Sequence, residues 1–189
     1  MGNLAHKKIT VAKYFEIERE SSEKHEYFEG ELFAMAGGKK NHNLIISNLI
    51  AIFHGFFKNK QCVVYPSDMK VAIDKYSHYT YPDISLVCGT SEFVNETEDS
   101  LINPIVVIEV VSESTEKYDR GKKFQSYRMI SSLKEYILVS TEYKKIEIFT
   151  RSDNNKWILS ESDNSGIIKL NSIEYELKLE DVYEKVEID

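Results

Sequence analysis

The chain of 189 residues is long enough for one domain with a sizeable core, and 42% hydrophobic with 29% charged residues excludes a disordered or membrane-embedded chain. A net charge of −7 argues against a broadly basic nucleic-acid-binding surface, while leaving room for local clusters of Lys and Arg. No apolar run approaches the roughly 20 residues that span a bilayer, and Met1–Lys8 has no apolar stretch behind its lysines, which argues against a secretory signal and for a cytoplasmic protein.

Thr10 is placed to cap a first helix from Val11 to about Arg19, with Val11, Tyr14, Phe15 and Glu18 in an amphipathic pattern. His25 to Met35 predicts two short strands around the Gly30 turn. Gly37-Gly38-Lys39-Lys40 reads as a loop, and Asn41 or Asn43 as the cap of a second helix reaching about Lys58, with Leu44, Ile45, Leu49, Ile52 and Phe56 at helical spacing. Cys62–Tyr65 and Met69–Ile73 predict a pair of strands interrupted by Pro66-Ser67-Asp68. Cys62 and Cys88, the only cysteines, lack a CxxC partner or a nearby pair of histidines, and read as reduced core thiols of a cytosolic protein.

Two strand-like runs, Tyr81–Cys88 and Ile105–Val111, each carry one acid, Asp83 and Glu109. The acidic segment Gly89–Asn103 between them reads as a surface loop. Asp119 is then expected to cap a third helix through about Ile130, with Phe124, Tyr127 and Met129 packed on a sheet. Strands follow at Glu135–Val139, Lys145–Phe149, Trp157–Leu159 and Ile167–Leu170, and a short helix within Leu179–Val186. No repeat or linker interrupts the chain, so residues 1–189 read as a single domain of α/β class, a mixed sheet flanked by helices. The Val and Ile residues around Glu109 predict a central strand covered on both faces.

A carboxylate in such a strand loses its hydration and gains nothing unless it is paired or binds a metal. Asp83 and Glu109 on neighbouring strands can share one Mg²⁺ or Mn²⁺, which takes one or two protein carboxylates with waters and substrate oxygens. Hydrolysis of a phosphodiester also needs charge neutralisation and an oriented water, which a lysine can serve. Lys123 shares a helical face with Tyr127, four residues on, so if Tyr127 packs toward the sheet, Lys123 points there and Lys122 outward. The competing reading is a structural Glu109–Lys123 ion pair, which uses the same residues. Ser112 and Ser114 lack a nucleophile elbow or a partnered His and read as turn residues.

The chain resembles the Uma-two family of restriction-endonuclease-like proteins, in the PD-(D/E)XK nuclease superfamily. The likeness is carried by His25-Glu26-Tyr27 with Gly30-Glu31, Met35-Ala36-Gly37, His42-Asn43, Pro66-Ser67-Asp68-Met69-Lys70-Val71 and Tyr81-Pro82-Asp83. It continues through Ile108-Glu109-Val110-Val111-Ser112, Ser114-Thr115, Tyr118-Asp119-Arg120-Gly121, Lys123-Phe124, Tyr127-Arg128 and Ser132-Leu133-Lys134-Glu135-Tyr136. The resemblance implies a restriction-endonuclease-like mixed sheet with additional antiparallel strands, Asp83 and Glu109 as metal ligands, and DNA as substrate. The superfamily's lysine position, two after Glu109, is Val111 here, which again points to Lys123 on the following helix. The second helix carries no acid, so Glu29, Glu31 or His42 would have to supply an auxiliary ligand; Asp68 is either a turn residue or a neighbour of the metal. The expected enzyme is a Mg²⁺- or Mn²⁺-dependent DNA endonuclease. Asp83, Glu109 and the Val110 carbonyl hold the metal, Lys123 acts on water or phosphate, and Arg120, Lys122 and Arg128 contact the phosphate backbone. Cleavage of both duplex strands points to a homodimer. The alternative is a catalytically silent nuclease fold, acting as a nucleic-acid-binding or dimeric interaction module.

Overall fold

The protein's structure, a computed structural model, describes residues 8–35, 37–74, 77–94, 96–162 and 165–188. The stretch read against a secretory signal lies outside these apart from Lys8, as does Ala36 of the family motif. Helix α1 (Val11–Glu20) begins at Thr10, whose hydroxyl accepts the Lys13 N–H at 3.2 Å. Strands β1 (His25–Phe28) and β2 (Glu31–Ala34) form the predicted hairpin. Its turn holds Glu29 and Gly30 at φ 47° and 94°, and two successive left-handed residues are what a tight primed turn requires.

Helix α2 (Lys40–Phe57) starts earlier than a cap at Asn41 or Asn43 would allow. The two amides serve carbonyls rather than the helix's open N–H groups: Asn43 donates to Gly38 and Lys39, and Asn41 to Glu187. The strands β3 (Cys62–Pro66), β4 (Lys70–Asp74), β5 (His78–Thr80), β6 (Ile84–Cys88), β7 (Ser100–Leu101) and β8 (Val106–Val111) follow. Next come α3 (Glu116–Tyr118), a π-helical turn (Asp119–Lys123) and α4 (Phe124–Tyr127), then β9 (Glu135–Ser140), β10 (Ile146–Arg151), β11 (Trp157–Glu161), β12 (Ile167–Leu170), β13 (Tyr175–Lys178) and α5 (Leu179–Val182).

Among the described residues the strands form a six-stranded sheet, β11-β10-β9-β8-β6-β3, a five-stranded sheet, β2-β1-β5-β4-β7, and the hairpin β12-β13. The β8–β9 and β4–β7 pairs are parallel and the remaining pairs antiparallel. Strand β8 is central, and all six of its residues are buried. Ile108 and Val110 face one core with Ile45, Leu49, Phe53 and Phe57 of α2; Val107 and Val111 face a second with Phe124, Tyr127 and Tyr136. Burying each such side chain contributes about 2 kcal/mol, which fixes the alternation that turns Glu109 away from α2. The outer face of the five-stranded sheet packs Tyr27, Ala72 and Tyr79 on Tyr14 of α1.

Several expectations are corrected. β3 and β4 do not pair with each other: β3 pairs with β6 and β4 with β5 and β7, because the turn at Pro66–Met69 carries the chain from one sheet to the other. The Gly89–Asn103 segment is not loop throughout, since β7 buries Ser100 and Leu101 against β4. Asp119 does not cap a helix; the helical segment begins at Glu116, and Asp119 is buried inside its π turn. Met129 is 68% exposed rather than packed on the sheet, because α4 ends at Tyr127. Cys62 and Cys88 are not free thiols: they are directly opposed in the β3–β6 register and joined as a disulfide.

Candidate active site

Asp83 lies just before β6, where the β6–β8 ladder has run out at Ile84↔Ile108. Its side chain takes over as the partner of β8: Oδ2 accepts the Val110 N–H at 2.7 Å. On the other side of β8, the Val111 carbonyl accepts the Thr141 N–H beyond β9. Since alternate residues of a strand direct their N–H and C=O to opposite sides, the Val110 carbonyl points with its N–H toward Asp83. The second Asp83 oxygen lies 3.3 Å from Nε2 of His42, in the first turn of α2. A Cβ at position 38 would collide with the His42 ring, so Gly38 gives the imidazole its place. The bond to Asp83 raises the His42 pKa against the effect of burial, while its Nδ1 is buried with no hydrogen-bond partner.

Glu109 is 4% exposed. Its Oε1 accepts from Lys123 Nζ at 2.9 Å and from the Tyr127 hydroxyl at 3.0 Å. Lys123 also lies 3.2 Å from Glu26 Oε1 and 3.7 Å from Asp119 Oδ1. Glu26 reaches in from β1 of the other sheet, held there by the Thr80 hydroxyl and by the Tyr81 N–H at 3.2 Å. The cluster therefore forms where the two sheets meet. The π turn is its local device: the Phe124 N–H bonds to the Asp119 carbonyl five residues back, which widens the helix so that Asp119 and Lys123 both turn inward.

Burial opposes the Lys123 charge, but Glu109, Glu26 and Asp119 outweigh it and hold the ammonium well above the ordinary lysine pKa. Burial pushes the Glu109 carboxyl well above the usual carboxylate range, and Asp119 and Asp83 add repulsion against the pull of Lys123. Burial likewise raises Asp119.

The sequence-predicted residues divide clearly. Asp83, Val110 and His42 form one bonded group, and Glu109 and Lys123 another, with Glu109 and Val110 adjacent in the chain. Lys122 is exposed, as expected from its place beside Lys123, and Arg128 is exposed with its guanidinium 5.6 Å from the Phe124 ring. Arg120 is engaged by Glu147 and by Glu116. Asp68 is on the surface, paired with Lys24, and Glu31 is exposed on β2 opposite Phe28, with no described contact to Asp83, Glu109 or Lys123. Glu29 occupies the hairpin turn. Sequence reasoning missed Glu26 and the inward placement of Asp119. The alternation of His25-Glu26-Tyr27-Phe28 put Glu26 opposite in face to the core residue Tyr27, a signal that became readable only once the second sheet was placed.

Among the described residues, no three His, Cys, Asp or Glu side chains already form a metal cage. The donor chemistry nonetheless fits a hard divalent cation. Carboxylate oxygens of Asp83 and Glu109 and the Val110 carbonyl are the ligand types magnesium takes, and Glu26, Glu109, Asp119 and Asp83 face fewer cationic groups than acids.

Mixed sheets flanked by helices make a restriction-endonuclease-like fold. A solved structure from Anabaena variabilis ATCC 29413, titled a putative nuclease belonging to DUF820, superposes with a TM-score of 0.74 at 16% identity, covering 93% of this chain and 97% of that one. The chain belongs to the Uma2 family, described as "Putative restriction endonuclease", whose family pattern matches residues 11–180. Two uncharacterized proteins of Synechocystis sp. (strain ATCC 27184 / PCC 6803 / Kazusa) are similar: slr1290 is 34% identical over 93% of this chain and 92% of its own, and sll1609 is 30% identical over 81% and 86%. Among the described residues no helix is long and apolar enough to cross a membrane.

Proposed function

We propose that this chain is a divalent-metal-dependent nuclease that hydrolyses DNA phosphodiester bonds. The observation that carries the reading is the bond from the Val110 N–H to Asp83. It fixes that carboxylate beside the strand position next to Glu109, with Lys123 at 2.9 Å from Glu109. Asp83, Glu109 and the Val110 carbonyl would hold Mg²⁺ or Mn²⁺, which supplies Lewis acidity and lowers the pKa of bound water. Lys123 keeps its proton among three acids, so it serves as a fixed positive charge for a phosphoryl oxygen rather than as a base. Glu26 and Asp119 hold the ammonium in place, and His42 holds Asp83. Lys122 and Arg128 are both exposed and would contact backbone phosphates, Arg128 from its place over the Phe124 ring. Arg120 does so only by leaving Glu147 and Glu116.

Were the substrate a duplex, cutting both strands would need two such sites, brought together in a symmetric homodimer. A nuclease acting on cellular DNA would work in the cytoplasm, where a reducing environment opposes the Cys62–Cys88 disulfide. Cleavage of end-labelled DNA in Mg²⁺, in Mn²⁺ and in chelator tests the reading. Cutting is expected with either metal, to stop in chelator, and to fall about 100-fold or more in Asp83→Asn, Glu109→Gln and Lys123→Ala. DNA left intact under every condition contradicts it. A second reading, an ion-paired core within a silent nuclease fold, draws on the 4% and 6% exposure of Glu109 and Lys123. It predicts that Glu109→Gln lowers stability while metal changes neither stability nor DNA.

A further inference from the structure

Resting on the nuclease reading of the site, we propose that Phe28 and Phe33 form a base-stacking wall beside it, and that the strand it takes is unpaired rather than duplex. The argument starts from Glu26, whose carboxylate reaches Lys123 at 3.2 Å, so the face of β1 that carries Glu26 is the face turned to the acids. Phe28 is two residues along that strand and shares the face, about 7 Å away. Phe33 is the direct partner of Glu26 across the hairpin and shares it too, about 5 Å away. The intervening Tyr27 and Leu32 pack on α1 instead. The two phenylalanines are therefore aromatic on the side where a half-covered hairpin would ordinarily carry polar residues, and they are 41% and 45% exposed.

The Phe28 ring is held edge-on by His78 at 4.8 Å between centroids, which lowers the ordering cost of using it. A strand with one phosphate at Lys123 thus has its adjoining bases within reach of these rings.

Charge decides between unpaired and paired strands. A chain of net charge −7 gains little from broad phosphate neutralisation, and Arg120 is occupied by Glu147 and Glu116. Glu31, opposite Phe28 on the same face, adds a negative charge beside the two rings, which disfavours the denser phosphate charge of a duplex. Stacking on aromatic rings supplies affinity without that charge, and it needs bases whose faces are open. One copy of the chain suffices for such a substrate.

The test is fluorescence anisotropy in chelator, where nothing is cut. The probes are a labelled single strand, the same strand with its bases replaced by abasic sites, and the matching duplex. The single strand should bind about tenfold tighter than either of the others. Phe28→Ala and Phe33→Ala should each lose about tenfold, with Phe33→Tyr retaining affinity. Equal binding of the abasic strand, a preference for duplex, or unchanged affinity in both alanine variants overturns the proposal. So does a shift of the alanine variants from dimer to monomer in sedimentation with strand affinity intact, which would make this face an interface between copies. The two readings fail separately. Duplex cleavage without single-strand preference leaves the nuclease and removes the wall; phenylalanine-dependent strand binding with no polynucleotide ever cut leaves the wall and removes the nuclease.

Discussion

A lysine ringed by Glu26, Glu109 and Asp119 keeps its proton at neutral pH, and the acids around it depend on that charge. Lys123→Met leaves buried carboxyls without a counter-charge and should cost about 3–5 kcal/mol in urea unfolding at pH 7. Burial already holds the Glu109 and Asp119 carboxyls above their ordinary range, and removing Lys123 raises them further, so the loss should be absent below their unfolded pKa values and reach its full size as pH rises through the folded ones. Adding Glu109→Gln should recover part of the loss, and a double variant no more stable than Lys123→Met would break the pairing. Glu147 shows the opposite sign. Burial alone would raise its carboxyl, but Arg120 and Lys145 outweigh burial and hold it below the ordinary range. The stability it adds is present above the unfolded glutamate pKa of about 4.3 and disappears as pH falls through the lower folded value. Arg120→Ala should therefore weaken the protein at pH 7 and change it little near pH 2, as read by urea midpoints at the two pH values.

Among the elements, the β3–β6 pair carries the clearest consequence. β3 is an edge strand, and its first residue, Cys62, is tied to the last residue of β6, the strand that Asp83 introduces. Closing a loop with a sequence separation of 26 stabilises by about 3.5 kcal/mol in the chain-entropy account. Reduction, or Cys62→Ser with Cys88→Ser, should lower the urea midpoint accordingly, and an unchanged midpoint would remove the disulfide from the account. The same pair shows where sequence reading stops. Periodicity found β6 and β8, because runs such as Ile84–Cys88 and Val106–Val111 announce their own burial. It could not assign partners: Cys62 meets Cys88, and β4 leaves β3 for the other sheet, through register between distant segments. The helical segment was legible from Phe124 and Tyr127, while its π turn depends on buried contacts that Asp119 makes only in the folded chain.

At the scale of the whole molecule, the site belongs to the meeting of two sheets. The six-stranded sheet supplies Glu109 and its neighbour Val110, with Asp83 at the head of β6; the five-stranded sheet sends Glu26 across to Lys123. Asp83, Glu109 and Lys123 stood out in the sequence because each interrupts a local pattern, an acid in an apolar run or a lysine on a packed helical face; the fold bonds Glu109 to Lys123 and Asp83 to Val110 and His42. Glu26 did not, because nothing within β1 says which sheet its face will meet. The central claim is that these elements build a cation site between Asp83 and Glu109. Crystals soaked in Mn²⁺ and measured at its absorption edge test it most directly. The account predicts one anomalous peak contacting a carboxylate oxygen of each acid and the Val110 carbonyl, lost in Glu109→Gln. A peak elsewhere, or none while Lys123 stays bound to Glu109, would contradict it.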